Sequence, residues 1–375
     1  HGVPQTEGRD GDKGEEALEV DVLIVGAGPA GSTTARYCSD KNIDVLMIDR
    51  RKEIGHPVQC GELLPDVKEI DSIFPATAQL NELFDVEPSL IAGRNSTVKI
   101  VSPGGRGYML DFASYSLDRR KFDKHLVKLA EEAGARLCND VSLLSVKDGI
   151  ARTSIGDIKA KVVVGADGPN SLTAREAGLD RPRLRYPAIT GRAEGQFDDC
   201  VEMFFGSVAP GGYAWIIPKD TGANVGLGFS RKSCRERPSE AFERFKKMIG
   251  ARTSSTSLGF VPMSGPVKST VAENIVLVGD AAGQAMPSNG GGIPTAMIAG
   301  REAGRVIRGY LAKDCKLTDY ERRWRSLIGE PLKNSLRTRR LADVFFPSNV
   351  LLGLTMAILG TRGLDRAIRC RPLFL

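Results

Sequence analysis

Residues 20–31 read VDVLIVGAGPAG. The apolar run is short and rich in β-branched residues, and a glycine stops it, which predicts a strand buried inside a parallel sheet. The glycines that follow keep G-x-G-x-x-G spacing. Gly26 admits a tight turn, Gly28 lets the backbone approach a pyrophosphate, and Gly31 lets the next helix close on the strand. Residues 30–40 are predicted to be that helix, with its N-terminus facing the phosphates. IDVLMID (43–49) is predicted as the next buried strand. Asp49 closes it, placed to accept hydrogen bonds from an adenosine ribose. The unit therefore predicts a dinucleotide site.

Working outward, KVVVGA (161–166) and NIVLVG (274–279) read as two more buried strands, each followed by an aspartate, Asp167 and Asp280. RRKFDKHLVKLAEEAGA (119–135) has Phe122, Leu126, Leu129 and Ala133 on one side of a helix. Residues 94–117 and 181–262 carry a different pattern, with alternating stretches such as GGYAWIIPK (211–219) and NVGLGF (224–229), and predict a mostly antiparallel sheet. The expected class is α/β: a discontinuous Rossmann-like domain (20–93, 118–180 and 263–312) with an inserted, mostly antiparallel β-sheet substrate domain (94–117 and 181–262). A helical C-terminal part (313–375) completes it.

Composition narrows the chemistry. A net charge of +6 over 375 residues is too mild to imply nucleic acid, and no basic run is interleaved with aromatics. Seven widely spaced cysteines suggest a reduced, intracellular protein. With only His1, His56 and His125, neither a metal site nor a histidine-activated nucleophile is expected. The chemistry should belong to a bound cofactor. Residues 1–19 hold two basic and six acidic side chains and read as a disordered tail. No signal peptide or membrane span is visible. Residues 321–340 hold seven basic and two acidic side chains, and VFFPSNVLLGLTMAIL (344–359) follows. Its uninterrupted apolar part is too short to span a bilayer. It reads either as helices capping the core or as a basic, apolar surface resting on anionic lipid.

GADGPNS (165–171) and GDAAGQAMPSNGGGIPTA (279–296) extend the signature. With them the chain resembles the FAD-dependent reductases and hydroxylases of the aromatic-hydroxylase fold. The resemblance implies that Asp280 holds the FAD ribitol, and that Gly290, Gly291, Gly292 and Ile293 lie under the flavin ring. A helix starting near Ile293 would point its positive end at the flavin. Arg119, in a D-R-x-x-F-D pattern, matches an arginine aimed at the cofactor. Asp167 and Gly168 belong to the shared fingerprint, and Pro29, Ala30 and Arg50 join the cofactor-binding set.

Within that superfamily, PVQCGE (57–62) is similar to the P-x-x-C-G-E of geranylgeranyl reductases, and GGYAWIIPK to their Y-x-W-x-F-P-K, with Ile217 in place of phenylalanine. The resemblance spans about residues 20–310 and points to archaeal enzymes that saturate digeranylgeranyl glycerophospholipids. It implies hydride transfer from reduced flavin to an isolated alkene, with a proton delivered to the other carbon. Cys60 is the expected proton donor or pocket wall, and Glu62 its support, with Cys60 and Gly61 also near the cofactor. Tyr213 and Trp215 are expected to line the prenyl cavity, and Lys219 to meet a phosphate headgroup at its mouth or to be a solvated surface lysine. The external electron donor is left open among NADPH, ferredoxin and a deazaflavin. Alternatives are a flavin monooxygenase of the same fold, a halogenase, which Tyr213 disfavours, and a non-catalytic prenyl-binding protein.

Overall fold

The structure, a computed structural model, describes residues 17–234 and 236–373. The expected tail lies outside the described residues, apart from its last three. Of these, Leu18 and Glu19 already belong to the first strand, because they pair with Ile158 and Lys159.

That strand, Leu18–Val25, lies at the centre of a sheet ordered Val271–Ala272, Ile275–Leu277, Gly156–Gly165, Leu18–Val25, Val45–Asp49, Arg136–Asn139. All neighbours are parallel except the first pair. Both faces are covered, which is why these strands read as unbroken apolar runs. Val22, Ile24, Val45, Met47, Val162 and Val164 face helices Pro29–Cys38 and Ile293–Leu311. Leu23, Val25, Leu46, Ile48 and Val163 face the other way, toward Val146, Ala151 and Ala174. A hairpin, Leu143–Lys147 with Ile150–Thr153, covers that second face. The sequence reading gave residues 136–153 no element, because their strands are only four or five residues long.

The second sheet runs Thr253–Pro262, Arg185–Ala193, Ala223–Gly228, Tyr213–Pro218, Val201–Phe205, Ile91–Val101, Gly107–Leu117, Leu63–Pro65. Only Val201–Phe205 with Ile91–Val101 is parallel. Alternation sorts its side chains. Ala214, Ile216, Val225 and Leu227 pack against Phe242 and Phe245 of helix Pro238–Ile249. Met203, Trp215 and Ile217 face the main core. Helix Pro238–Ile249 falls inside a stretch read as strands. Its signals were present: Pro238 in the first turn, Glu240 accepting from the Arg237 N–H, and Gly250 ending it at φ +66°. Two long helices follow, Asp319–Phe345 and Asn349–Ile368, the latter broken at Gly360 (φ 57°).

Helix Ile293–Leu311 is buried along most of its length because it packs directly on helix Pro29–Cys38. Gly300 and Gly304 make this approach feasible. A Cβ at Gly300 would fall 2.6 Å from the Ala30 carbonyl oxygen, and one at Gly304 2.6 Å from that of Thr34. Gly300→Ala should therefore force the helices apart and destabilise the fold by about 1–3 kcal/mol, read as a lower urea midpoint. An unchanged midpoint would mean the helices are not in backbone contact.

Candidate functional site

The glycine turn behaves as its spacing predicts. Gly26 sits at φ +105°, and a Cβ there would fall 2.4 Å from the Ala166 oxygen. A Cβ on Gly31 would fall 1.9 Å from the Gly26 oxygen. Gly28, by contrast, faces open space, with nothing within 4 Å of a would-be Cβ. It is the N-cap of helix Pro29–Cys38, and no side chain caps the amides behind it, Ala30 and Gly31 included. An opening lined by unsatisfied N–H groups fits a pyrophosphate. Asp49 braces this turn, its Oδ2 accepting from the Ala27 N–H at 2.8 Å and its Oδ1 from the Arg51 N–H at 2.8 Å. Each oxygen keeps a second lone pair for a ribose hydroxyl. Arg50, next to it, is exposed.

The second half of the cofactor strip forms around Asp280. The residue is only half-buried by area but lies deep among protein atoms, and its carboxylate has no hydrogen-bond partner among the described residues. Burial raises it to about 6, against the pull of the Arg119 charge. Oδ1 lies 3.3 Å from where a Gly292 Cβ would be, so glycine there keeps the carboxylate clear. Gly292 is also the N-cap of helix Ile293–Leu311, again with no side-chain cap. The run before it is held by the Met286 N–H donating to Gly291 and the Gly291 N–H donating to Asn289 Oδ1. An uncommitted buried carboxylate beside an uncapped helix N-terminus fits a polyhydroxyl chain leading to an electron-rich ring.

Arg119 lies close enough to Asp280 for its charge to act on that carboxylate. Its guanidinium holds Asp123 through two bonds of 2.7 and 2.9 Å. Burial works against its charge, but Asp123, with Cys60 and Glu62 nearby, outweighs burial and keeps it protonated. Asp167 is spent locally. It accepts from Ser171 and from the Leu172 and Thr173 amides, capping helix Leu172–Glu176, while Gly168 takes φ +81° beside it.

The Cys-Gly-Glu loop meets the antiparallel sheet at Glu62, a buried residue at φ 65°. Its Oε1 accepts from the Arg119 N–H at 3.2 Å, and its Oε2 from Lys219 at 2.6 Å and Asn224 at 2.9 Å. The Glu62 N–H donates to Cys60 Sγ at 3.2 Å. Lys219 corrects the expectation of a headgroup contact or a solvated lysine. Its side chain is 10% exposed, and its ammonium is committed to Glu62 and the Leu117 carbonyl. Asn224 was missed by sequence reading. It accepts from Trp215 Nε1 and Thr190 Oγ1 and donates to the Cys60 carbonyl and Glu62, using all its capacity. A polar amide inside the apolar strand ANVGLG was the available signal.

An aromatic row leads away from this hub. Trp215 lies 5.8 Å from Tyr213, Tyr213 5.7 Å from Phe205, and Phe205 6.4 Å from Phe346. Tyr213 also donates to the Asn289 carbonyl, tying the row to the glycine run, and burial pushes its phenol up. Gly61 is flat against this row, since a Cβ would come within 3.0 Å of Ile217 and 3.5 Å of Trp215 Nε1. The row ends at an apolar cavity of roughly 800 Å³ of atom-free space, its open side included. Sheet residues Ile100, Met203 and Phe205, both C-terminal helices, and Ser288 and Asn289 line it. Tyr213 and Trp215 stand behind Phe205 and are not among the residues lining it.

Two uncapped helix N-termini, an uncommitted carboxylate and an adjoining apolar cavity fit an FAD-dependent oxidoreductase. Residues 186–260 match the geranylgeranyl reductase catalytic domain, and residues 24–72 a NAD(P)-binding Rossmann-like domain. Digeranylgeranylglycerophospholipid reductase 1 of Methanothermobacter thermautotrophicus is 35% identical over 355 residues, covering 86% of both chains. The reductase of that name from Methanothrix thermoacetophila is 36% identical, covering 87% of this chain and 89% of its own. A geranylgeranyl bacteriochlorophyll reductase-like protein of Thermoplasma acidophilum superposes with a TM-score of 0.78 at 29% identity, covering 92% of each chain. A flavin-dependent brominase, at 0.68 and 18% identity over 94% of this chain and 92% of its own, shares the fold alone. The chain belongs to the digeranylgeranylglycerophospholipid reductase family.

Lys219→Met leaves the Glu62 carboxylate buried without its cation, which should cost about 3–5 kcal/mol in chemical unfolding. Adding Glu62→Gln should restore part of that loss. A cost below that of an exposed ion pair, about 1 kcal/mol, would show that the pair does not hold the loop.

Proposed function

We propose that this protein is an FAD-dependent reductase that saturates isolated C=C bonds of geranylgeranyl chains in archaeal-type membrane lipids or their precursors. One observation carries the reading beyond family membership: the apolar cavity and the glycine run share Ser288 and Asn289, so a long hydrocarbon would end against the cofactor strip. Saturating a trisubstituted alkene requires a hydride on one carbon and a proton on the other. FAD, when bound and reduced, supplies the hydride. Gly26, Gly28, Pro29, Ala30 and Gly31 would hold its pyrophosphate, Asp49 and Arg50 its adenosine end, and Asp280, Gly291, Gly292 and Ile293 its ribitol and ring, with Arg119 alongside.

The proton falls to this chain. Cys60 is half-buried, with its Sγ held by the Glu62 N–H. Cys60 donates the proton, Glu62 and Asn224 fix the loop that carries it, and solvent reprotonates the sulfur. An external donor, one of NADPH, ferredoxin or a deazaflavin, must reduce the cofactor.

The test is the mass of an unsaturated archaeal-type prenyl lipid after anaerobic incubation with the protein and chemically reduced FAD. Gains in steps of two hydrogens are expected. An unchanged lipid that gains one oxygen when air is admitted would move the protein to the monooxygenases. In the same assay Cys60→Ser should lower turnover about 10²-fold or more, the usual weight of a general acid, with FAD retained. Near-normal turnover would reduce Cys60 to a packing residue.

Asp280 makes FAD binding pH-dependent. Its folded value, about 6, lies above the ordinary 3.8, so the FAD-free protein favours the protonated acid and loses stability as pH rises through that window. Ribitol hydroxyls donating to the carboxylate favour the ionised form. FAD should therefore bind more tightly at pH 7 than at pH 5, read by flavin fluorescence quenching, and Asp280→Asn should flatten the dependence. A flat wild-type profile would remove Asp280 from the cofactor.

Among the described residues no helix is long and apolar enough to cross a membrane. Val344, Val350, Leu351, Leu354 and Ile358 are nevertheless exposed, Ile358 at 85%, on helices that roof the apolar cavity. This face rests on an anionic lipid surface, as its basic neighbours favour. The protein should co-sediment with anionic vesicles and less with zwitterionic ones, and Val350→Asp with Ile358→Asp should release it. Binding unaffected by the pair would place the contact elsewhere.

A further inference from the structure

Helix segment Thr361–Ile368 has two unlike faces. Leu364, Ala367 and Ile368 line the apolar cavity. Thr361, Arg362, Asp365, Arg366 and Arg369 turn toward a separate cleft, closed by Arg371 and by Met109, Leu110 and Asp111 of the sheet. Arg369 is already committed, bidentate to Glu69 at 2.8 and 2.9 Å and paired with Asp365. The other three arginines, Arg362, Arg366 and Arg371, have no salt bridge among the described residues, and only Asp111 opposes them with an uncommitted carboxylate. Arg362 and Arg366 stand four residues apart on one helix face, where like charges repel. The geometry is fixed nonetheless. Cys370 turns left-handed at φ 53°, the Arg371 N–H donates to the Arg366 carbonyl, and Arg366 Nε donates to the Pro372 carbonyl, so the chain folds back and brings Arg371 beside the helix. The break at Gly360 also starts a fresh helix N-terminus at the cleft wall.

We infer that this cleft binds the phosphate of a prenyl glycerophospholipid whose hydrocarbon enters the apolar cavity on the other face of the same helix segment. The inference rests on the prenyl-lipid reading and adds the subsite that Lys219, locked to Glu62, cannot supply. Arg362 and Arg371, together with the terminal nitrogens of Arg366 that its bond to Pro372 leaves over, match a phosphate dianion in charge and fork geometry. The two surfaces lie on opposite faces of one helix segment, so the amphiphile's glycerol would have to cross the edge of that segment. A free phosphate would use only one of them.

The test is equilibrium binding of two detergent-dispersed lipids to the FAD-loaded protein: digeranylgeranylglyceryl phosphate and the uncharged digeranylgeranylglycerol. The wild type should prefer the phosphate form by about tenfold or more. Arg362→Ala with Arg371→Ala, both exposed side chains, should erase that preference while leaving the uncharged lipid's affinity within about twofold. The corresponding pair of lysine substitutions should restore part of it. No preference in the wild type, or a preference that survives the alanine pair, would overturn the inference. Glycerol phosphate without chains provides the remaining arm. Binding at concentrations comparable with the lipid would assign the cleft to a soluble phosphate and refute the lipid. If the preference is present but the bound lipid is never reduced, the subsite stands and the proposed reaction falls.

Discussion

A single buried carboxylate holds the two halves of this molecule in register. Glu62 receives hydrogen bonds from a helix of the dinucleotide domain through the Arg119 N–H, and from the antiparallel sheet through Lys219 and Asn224. Each donor neutralises part of a charge that would be expensive to bury alone. Because Asn224 also holds Trp215 and the Cys60 carbonyl, the position of the thiol follows from the same knot. Glu62 itself takes a left-handed backbone conformation, uncommon for a residue with a Cβ. The surrounding bonds over-determine it, as they must if that conformation is to persist.

From this knot the architecture divides labour by polarity. The parallel sheet and its two uncapped helix N-termini form a strip of N–H groups and one uncommitted acid, suited to a charged, hydroxyl-rich cofactor. The antiparallel sheet contributes an aromatic row and, with the C-terminal helices, an apolar cavity suited to hydrocarbon. Tyr213 touches both, packing within the row and donating to the Asn289 carbonyl beside the glycine run. A reaction between a flavin and an alkene needs such a seam, where water is scarce.

The C-terminal helices change standing once the fold is known. By sequence they were either caps on the core or a lipid-facing surface. In the structure the same helices wall the cavity, expose an apolar face, and carry a basic cleft on the opposite side of one segment. These roles fit together because a helix presents different faces to different neighbours, so the two helices together can serve cavity, surface and cleft.

The sequence alone determined the parts whose chemistry is local. Gly26, Gly28 and Gly31 read as a phosphate turn because glycine spacing along one strand-turn-helix unit encodes backbone approach directly. Buried parallel strands were legible as apolar runs, and PVQCGE and YAWIIPK carried the resemblance to geranylgeranyl reductases. What depends on distant segments meeting was decided only by tertiary structure. Lys219 looked like a free cation until residue 62 was brought against it from 157 positions away. Asn224 was an unremarked residue in a short strand, yet it meets Trp215, Thr190, Cys60 and Glu62. The arginines at 362, 366 and 371 were just basic residues in a tail until the fold turned them onto a cleft beside the cavity. Charge and polarity are written residue by residue, but their partners are chosen by chain topology, which brings together groups that no local pattern relates.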